Sequence, residues 1–335
     1  MIIETDIYKD KHIDYIFHLA DIHIPNDNLR HPEYRSVFKL LYSKLKKHKK
    51  TNSLIVIAGD IIDKGDKITP DCIRLTKEFF ENLSKIFPTV IMAGNHDDNV
   101  RGNLSKTDSI TAILKDNNYP NLHYLNQTAI FNLGTNISLG IICVFDEKMI
   151  DINSFPPNRK KLGMYHGMVE ALEINQNHNI PTGDYKFTSN DFLGYDMVFL
   201  GDIHKHFYLN SNETIAYCGS LIQQSHGEDI ITHGGCIHWD LNKSKGTFMP
   251  IQNDYGFITL KYQNSKLEVP ESYPKLSRIR IKYYDDDYID NKIIRDKINV
   301  QMPNTKIEAL KIEYSNTHSN QNISNYLNDN DLFQQ

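Results

Sequence analysis

Five polar clusters carry side chains of the kinds that hold cations. They are Asp21-Ile-His23, Gly59-Asp60-Ile-Ile-Asp63, Gly94-Asn95-His96-Asp97, His166-Gly167 and Gly201-Asp202-Ile-His204. Carboxylate, imidazole and amide oxygen, without thiolate, suit borderline-hard divalent ions such as Mn or Fe. Singly, each cluster has an ordinary explanation. Asp21-x-His23 reads as a strand-end turn, Asp60 after Gly59 as a helix cap, Gly-Asn-His-Asp as a turn and His166 as a satisfied core histidine. The five together, in this order, read as a two-metal centre. Such a centre needs one carboxylate shared by ions ~3.5–4 Å apart, and Asp60, held by the tight Gly59 turn, is the natural bridge. The ions would bring the pKa of a shared water towards neutrality and stabilise charge on the phosphate oxygens during in-line attack at phosphorus.

The elements that must position these residues are legible beside them. Each cluster follows a short apolar run: 15–20, 53–58, 89–93, 162–165 and 196–200. Runs this short, rich in β-branched residues and bounded by Gly, read as buried strands. Helical spacing appears over 32–48 (Val37, Leu40, Leu41, Leu45) and 70–86 (Ile73, Leu75, Phe79, Phe80, Leu83). The β–α–β alternation argues for a layered α/β domain. In open α/β sheets ligands bind outside the carboxyl ends of the strands, so all five clusters can converge on one site. Alternation over 128–145 predicts a hairpin, and 208–260 predicts more. After about Pro270 the pattern changes to strand 278–283, helix 289–300 and strand 307–314, a small appended α/β unit. From Ser315 onward the chain is rich in Asn, Ser, Asp and Gln and reads as a disordered tail. The expected divisions are 1–262, 263–314 and 315–335.

Composition sets further bounds. The chain has 335 residues and a formal net charge of -5, which excludes a polybasic arm acting on its own. It leaves nucleic acid open, because a local basic face or bound cations reverse the sign of a site. The four cysteines form no C-x-x-C pair, so a reduced, intracellular chain in cytoplasm or nucleus is expected. Glu4, Asp6 and Asp10 are wrong for a signal peptide. No apolar run approaches the ~20 residues that span a bilayer, so no membrane partner is expected. The run Lys44–Lys50 reads as a solvated helix end, Lys being favoured near the C-terminal dipole, with a phosphate-backbone contact as the alternative. Arg30 and His31 lie close enough to the first cluster to touch a substrate phosphate, or form a surface loop. His206 reads as a neighbour of the site and Trp239 as core.

The clusters resemble the calcineurin-like metallophosphoesterase superfamily, whose pattern is D-x-H, G-D-x-x-D, G-N-H-D/E, a lone His and G-H-x-H, here across 13–206. The resemblance implies a four-layer metallophosphoesterase β-sandwich flanked by helices, with a small C-terminal α/β capping domain. It implies one metal held by Asp21, His23, Asp60 and His204, and a second held by Asp60, Asn95, His166 and the residue at 202. The family has His at that last place and this chain has Asp202, which still suits a hard cation and lowers the net positive charge of the centre. By the same resemblance His96 is the general acid on the leaving-group oxygen and Asp97 orients it.

Within the superfamily the likeness is to the SbcD-type nucleases, the bacterial and phage counterparts of the eukaryotic meiotic-recombination nuclease. It rests on Asp63-Lys64-Gly65 after the second cluster, on Asp97 closing the third, and above all on Tyr217-Cys-Gly-Ser-Leu-Ile-Gln-Gln-Ser-His-Gly-Glu228. What this implies is a DNA exonuclease and endonuclease with two divalent ions, Mn first and Fe or Mg as alternatives. It would act in double-strand-break repair or DNA-end processing, with an SbcC-type coiled-coil ABC ATPase and as a homodimer. The chain has no Walker A motif, so ATP hydrolysis would belong to the partner. Little chain follows Tyr314 for the helices that dock on such an ATPase. Two other readings stay open: a phosphoesterase of another specificity (phosphatase, nucleotide or RNA phosphodiesterase), and a non-catalytic DNA-end scaffold.

Overall fold

The computed structural model describes residues 1–65, 67–97, 108–115, 119–171, 185–228, 234–285 and 289–314. They fall into two compact units. One comprises the described residues of 1–224 with those of 228–253, and the other comprises 225–227 with the described residues of 254–314.

The first unit is built on two sheets. The six-stranded sheet runs in the order Lys245–Pro250, Gly235–Asp240, Tyr15–Leu19, Ser53–Ala58, Thr89–Met92, Leu122–Tyr124. From Tyr15–Leu19 to Leu122–Tyr124 its strands are parallel. The seven-stranded sheet runs Ile2–Glu4, Ala129–Leu133, Ile137–Ile142, Lys160–His166, Met197–Gly201, Ile215–Tyr217, Phe207–Tyr208. Its middle strands, from Ile137–Ile142 to Ile215–Tyr217, are also parallel. The expected hairpin is the antiparallel pair Ala129–Leu133 and Ile137–Ile142.

The sheets pack face to face through Ile16, Val56, Val90 and Met92 on one side and Leu139, Leu162, Met164 and Phe199 on the other. Two helices cover the outer face of the six-stranded sheet. His31–Lys46 buries Tyr34, Val37, Phe38, Leu41 and Leu45, a stripe at helical spacing. Pro70–Ser84 starts on Thr69, whose side chain accepts from the Cys72 N–H, with Pro at the first helical turn where its missing N–H costs nothing. Its stripe of Leu75, Phe79, Phe80 and Leu83 joins Phe17, Leu19, Ile55 and Ile57 in one core. On the outer face of the other sheet Tyr165, Val198 and Leu200 pack with Phe187 and Phe192 around a short 3-10 turn. Strands covered on both faces are apolar throughout, which is why Ser53–Ala58 is buried at every position. The fold is the layered α/β sandwich expected from the strand-and-helix pattern.

The second unit is a four-stranded sheet in the order Lys266–Glu268, Tyr255–Gln263, Leu276–Tyr283, Lys306–Tyr314. The last three strands are parallel. The crossover helix Asn291–Gln301 lays Ile294 and Ile298 on Leu260, Tyr262, Ile279 and Ile281. The sequence boundary at 262 cuts through Tyr255–Gln263. That strand pairs along its length with Leu276–Tyr283, so it belongs to the second unit, whose longer stretch starts at Asp254. The tail expected over 315–335 lies outside the described residues. No helix among the described residues is long and apolar enough to cross a membrane.

Candidate metal centre

Parallel strands end on the same edge, so the five clusters emerge together. Asp21 and His23 follow Tyr15–Leu19, Asp60 follows Ser53–Ala58, and Asn95 to Asp97 follow Thr89–Met92. From the other sheet, His166 ends Lys160–His166, while Asp202 and His204 follow Met197–Gly201. His166 joins the two edges directly, its Nδ1 lying 2.8 Å from the Ala58 carbonyl.

The turn backbone is unusual where ligands are expected. Asp21 (φ 51°), His23 (φ 47°), Asp60 (φ 51°) and Asp202 (φ 97°) all lie at positive φ. A non-glycine residue held there costs on the order of 1–3 kcal/mol, and such strain clusters at functional sites. Backbone pairing across the site holds two of them: Asp21 N–H donates to Gly59 O at 3.1 Å and His23 N–H to Asp60 O at 3.0 Å. Gly94 permits the crowding, since a Cβ there would stand 2.1 Å from Asp60 Oδ1 and 2.8 Å from the His166 ring.

All seven ligands expected from the sequence are brought together, in two groups. Asp21, His23 and His204 each offer an atom within 4.8 Å of the others. Within that group His23 Nε2 and His204 Nε2 are 2.9 Å apart. In the second group His166 Nε2 is surrounded by Asn95 Oδ1 at 2.9 Å, Asp60 Oδ1 at 3.3 Å and Asp202 Oδ1 at 3.9 Å. Asp60 stands between the groups, its Oδ2 being 3.4 Å from His23 Nε2.

The donor set fits divalent cations. Asp21 Oδ2 and His23 Nδ1 are buried with no hydrogen-bond partner among the described residues. Buried polar atoms normally find one, and an orphan carboxylate oxygen in a cluster of imidazoles is what a cation ligand looks like without its ion.

Burial dominates the electrostatics. It pushes Asp21 up to about 7, with the Asp60 charge adding and His166 and His204 opposing. It pushes His23 down to about 3, helped by His204 and His96, which leaves the neutral imidazole that ligates metals. Burial also works against Asp60 and His166, but their mutual attraction wins, holding Asp60 low and His166 high. Asp202 is raised, by burial first.

His96 is exposed at the edge of the centre, its ring edge-on to His23 with centroids 4.9 Å apart. Its Nδ1 meets the Asp63 carbonyl, and its backbone N–H donates to Asp60 Oδ1 at 3.0 Å. Asp97 departs from its expected role. Its carboxylate turns inward and accepts from the N–H groups of Ile61, Ile62 and Gly94 at 2.9–3.1 Å. Asp97 thus ties two site loops together, and the Asp63 carbonyl holds the His96 ring. Asp63 was legible only as the end of the second cluster.

Glu228 was legible only as the last residue of a longer motif. Its Oε1 is 2.8 Å from His204 Nδ1. Arg30 and His31 serve the scaffold: Arg30 donates to Glu33, Gln224 and the Gln223 carbonyl, and His31 Nε2 meets Pro25 O at 2.8 Å. His206 stacks on Phe248, and Trp239 is fully buried.

Comparison with known proteins agrees with this geometry. The family model described as calcineurin-like phosphoesterase matches residues 15–206, more than half of the chain and the whole span of the five clusters. The chain belongs to that family, whose members are metal-dependent phosphoester hydrolases that typically bind two divalent metals. It is 32% identical over 319 residues to "Uncharacterized protein R555" of Acanthamoeba polyphaga mimivirus, covering 91% of this chain and 23% of that protein. It is 25% identical over 193 residues to "Putative phosphoesterase 244L" of Invertebrate iridescent virus 6, covering 52% of this chain and 60% of that protein. The chain thus spans less than a quarter of the first relative and three fifths of the second.

Proposed function

We propose that the chain is a two-metal phosphodiesterase that cuts DNA, with manganese as its working ion. The observation that carries this reading is the position of Asp60, with Oδ2 towards His23 and Oδ1 towards His166. One cation would be held by Asp21, His23, Asp60 and His204, the other by Asp60, Asn95, His166 and Asp202. When bound, the pair supplies the charge that activates solvent and stabilises the phosphate oxygens.

The chain's own residues do the rest. The His96 N–H fixes the Asp60 carboxylate. Asn95 and His96 are exposed where the other cluster residues are largely shielded, so a phosphate approaches from their side. With Nδ1–H donating to the Asp63 carbonyl, the proton passed to the leaving oxygen is the Nε2 proton of the imidazolium form of His96. Asp97 keeps the loops of Asp60 and His96 in register.

DNA as substrate is supported by the likeness of Tyr217–Glu228 to the SbcD-type nucleases and by how that segment meets the centre. Ser220 bridges to Ala20, its N–H donates to the His204 carbonyl at 3.0 Å, and Glu228 holds the His204 ring. A role at DNA ends, an SbcC-type ATPase partner, a homodimer and an intracellular place are proposals from the same likeness. The test is cleavage of end-labelled duplex and of single-stranded circles with Mn, Mg or chelator, beside chromogenic phosphomonoesters and diesters. Mn-dependent cutting of DNA is expected. Fast monoester turnover with inert DNA would favour a phosphatase.

A further inference from the structure

We propose that Glu228 is a positioning residue for His204, fixing its ring so that Nε2 faces the cation position shared with Asp21 and His23. The inference rests on the metal-centre reading and names the residue that sets one of its ligands.

The geometry is that of a carboxylate behind a ligating imidazole. Glu228 Oε1 lies 2.8 Å from His204 Nδ1, so the ring nitrogen turned away from the centre donates to it. In the neutral ring the opposite nitrogen, Nε2, then carries no proton, and it lies 2.9 Å from His23 Nε2. Partners of this kind select the tautomer of a metal-binding histidine and raise its basicity. The pair is partly shielded, with 27% of the His204 side chain and 12% of the Glu228 side chain exposed, so solvent screens it only in part.

Glu228 is itself held from behind. Its Oε2 accepts from the Gln224 N–H at 2.7 Å, and its carbonyl accepts from Gln223 Nε2 at 2.8 Å. The Gln224 side chain lies 3.2 Å from both Arg30 and the Tyr34 hydroxyl. Tyr34 in turn donates to the His23 carbonyl at 2.6 Å. The network closes on itself: the two histidines that face each other across the cation position are braced by one set of side chains, His204 through its ring and His23 through its backbone. Glu228 is the member that touches a ligand side chain, so the orientation of His204 depends on it most directly.

The test is calorimetric titration of the metal-free full chain with MnCl2, comparing wild type, Glu228→Gln and Glu228→Ala, with the melting temperature of each metal-free protein as the fold control. Glu228→Ala is expected to weaken one of the two manganese sites by about 10–100-fold, the usual cost of losing such a partner. The other site should stay within a few-fold of wild type. Glu228→Gln keeps an acceptor oxygen and should recover part of the loss. Nitrogen-15 NMR of metal-free wild type adds an independent readout: the His204 proton should sit on Nδ1. Wild-type affinity in a folded Glu228→Ala protein, or an Nε2–H tautomer, would overturn the positioning role and leave the metal centre standing. A wild-type chain that takes up no manganese would overturn both.

Discussion

His23 and His204 meet nitrogen to nitrogen, Nε2 to Nε2 at 2.9 Å, although 181 positions separate them in the chain. One follows a strand of the six-stranded sheet and the other a strand of the seven-stranded sheet, so the contact is where the two sheet edges close on each other. Two imidazole nitrogens at this distance cannot both carry a proton. Burial keeps His23 neutral, and Glu228 draws the His204 proton to the far side of its ring. With the His23 proton on Nε2 the contact is an N–H···N hydrogen bond; with it on Nδ1 two lone pairs face each other, the arrangement that a shared cation takes up.

The proposed general acid, His96, lets the chemistry be tested apart from metal binding. It is exposed, its Nδ1 meets the Asp63 carbonyl and its ring stands edge-on to His23. His96→Ala is expected to lower kcat by about 10²–10⁴-fold, the range for losing a general acid. Two manganese ions should still bind, as measured by titration of the variant. A variant that keeps its kcat would remove His96 from the proton path.

Asp60 and the glycine beside it decide whether there is a centre at all. Asp60→Asn removes the charge between the two groups and should abolish activity with loss of at least one ion. Gly94→Ala reaches the same end by crowding, since its Cβ would stand 2.1 Å from Asp60 Oδ1. Metal content after dialysis reads both variants.

Asp97 carries stability as well as function. Its carboxylate is fully buried and satisfies three N–H groups of two loops. Leaving buried donors unpaired costs about 1–3 kcal/mol each. Asp97→Ala should therefore unfold at least about 2 kcal/mol more easily in urea and lose activity because the Asp60 and His96 loops part. Full stability in that variant would contradict the structural role.

Acid stability has a histidine component away from the centre. His18 is buried in the core, with Nε2 3.1 Å from the Leu200 carbonyl, and burial pushes it down to about 3. Its folded pKa lies below the unfolded value of about 6.5. The unfolded chain therefore binds more protons between those values. The stability contribution is complete above pH 6.5 and is lost as the pH falls towards about 3. Urea midpoints of the metal-free chain should drop through this window. His18→Gln keeps a donor for Leu200 without titrating and should flatten the slope. An equally steep slope in the variant would reject the assignment.

How much of this was written in the sequence follows from physical range. The five strand-end clusters are local, because an apolar run, a Gly and a ligand stand within a few residues, and their convergence follows from parallel strands. The helices His31–Lys46 and Pro70–Ser84 show their buried stripes at helical spacing for the same reason. The Glu228 contact with His204 reaches across two short strands, Phe207–Tyr208 and Ile215–Tyr217, and no local spacing marks it. The role of Asp97 came from the resemblance alone, and nothing local marks the N–H groups of Ile61, Ile62 and Gly94 that its carboxylate meets. Tyr255–Gln263 alternates as a strand, but its partner is chosen by pairing with Leu276–Tyr283, which hydropathy does not encode.

The central claim is that side chains from two sheet edges hold two cations across Asp60. The most direct measurement is anomalous diffraction at the manganese edge from crystals grown with MnCl2. The account predicts two peaks ~3.5–4 Å apart on either side of the Asp60 carboxylate, one beside His23 and His204 and the other beside Asn95, His166 and Asp202. A single peak, or peaks remote from Asp60, would contradict it.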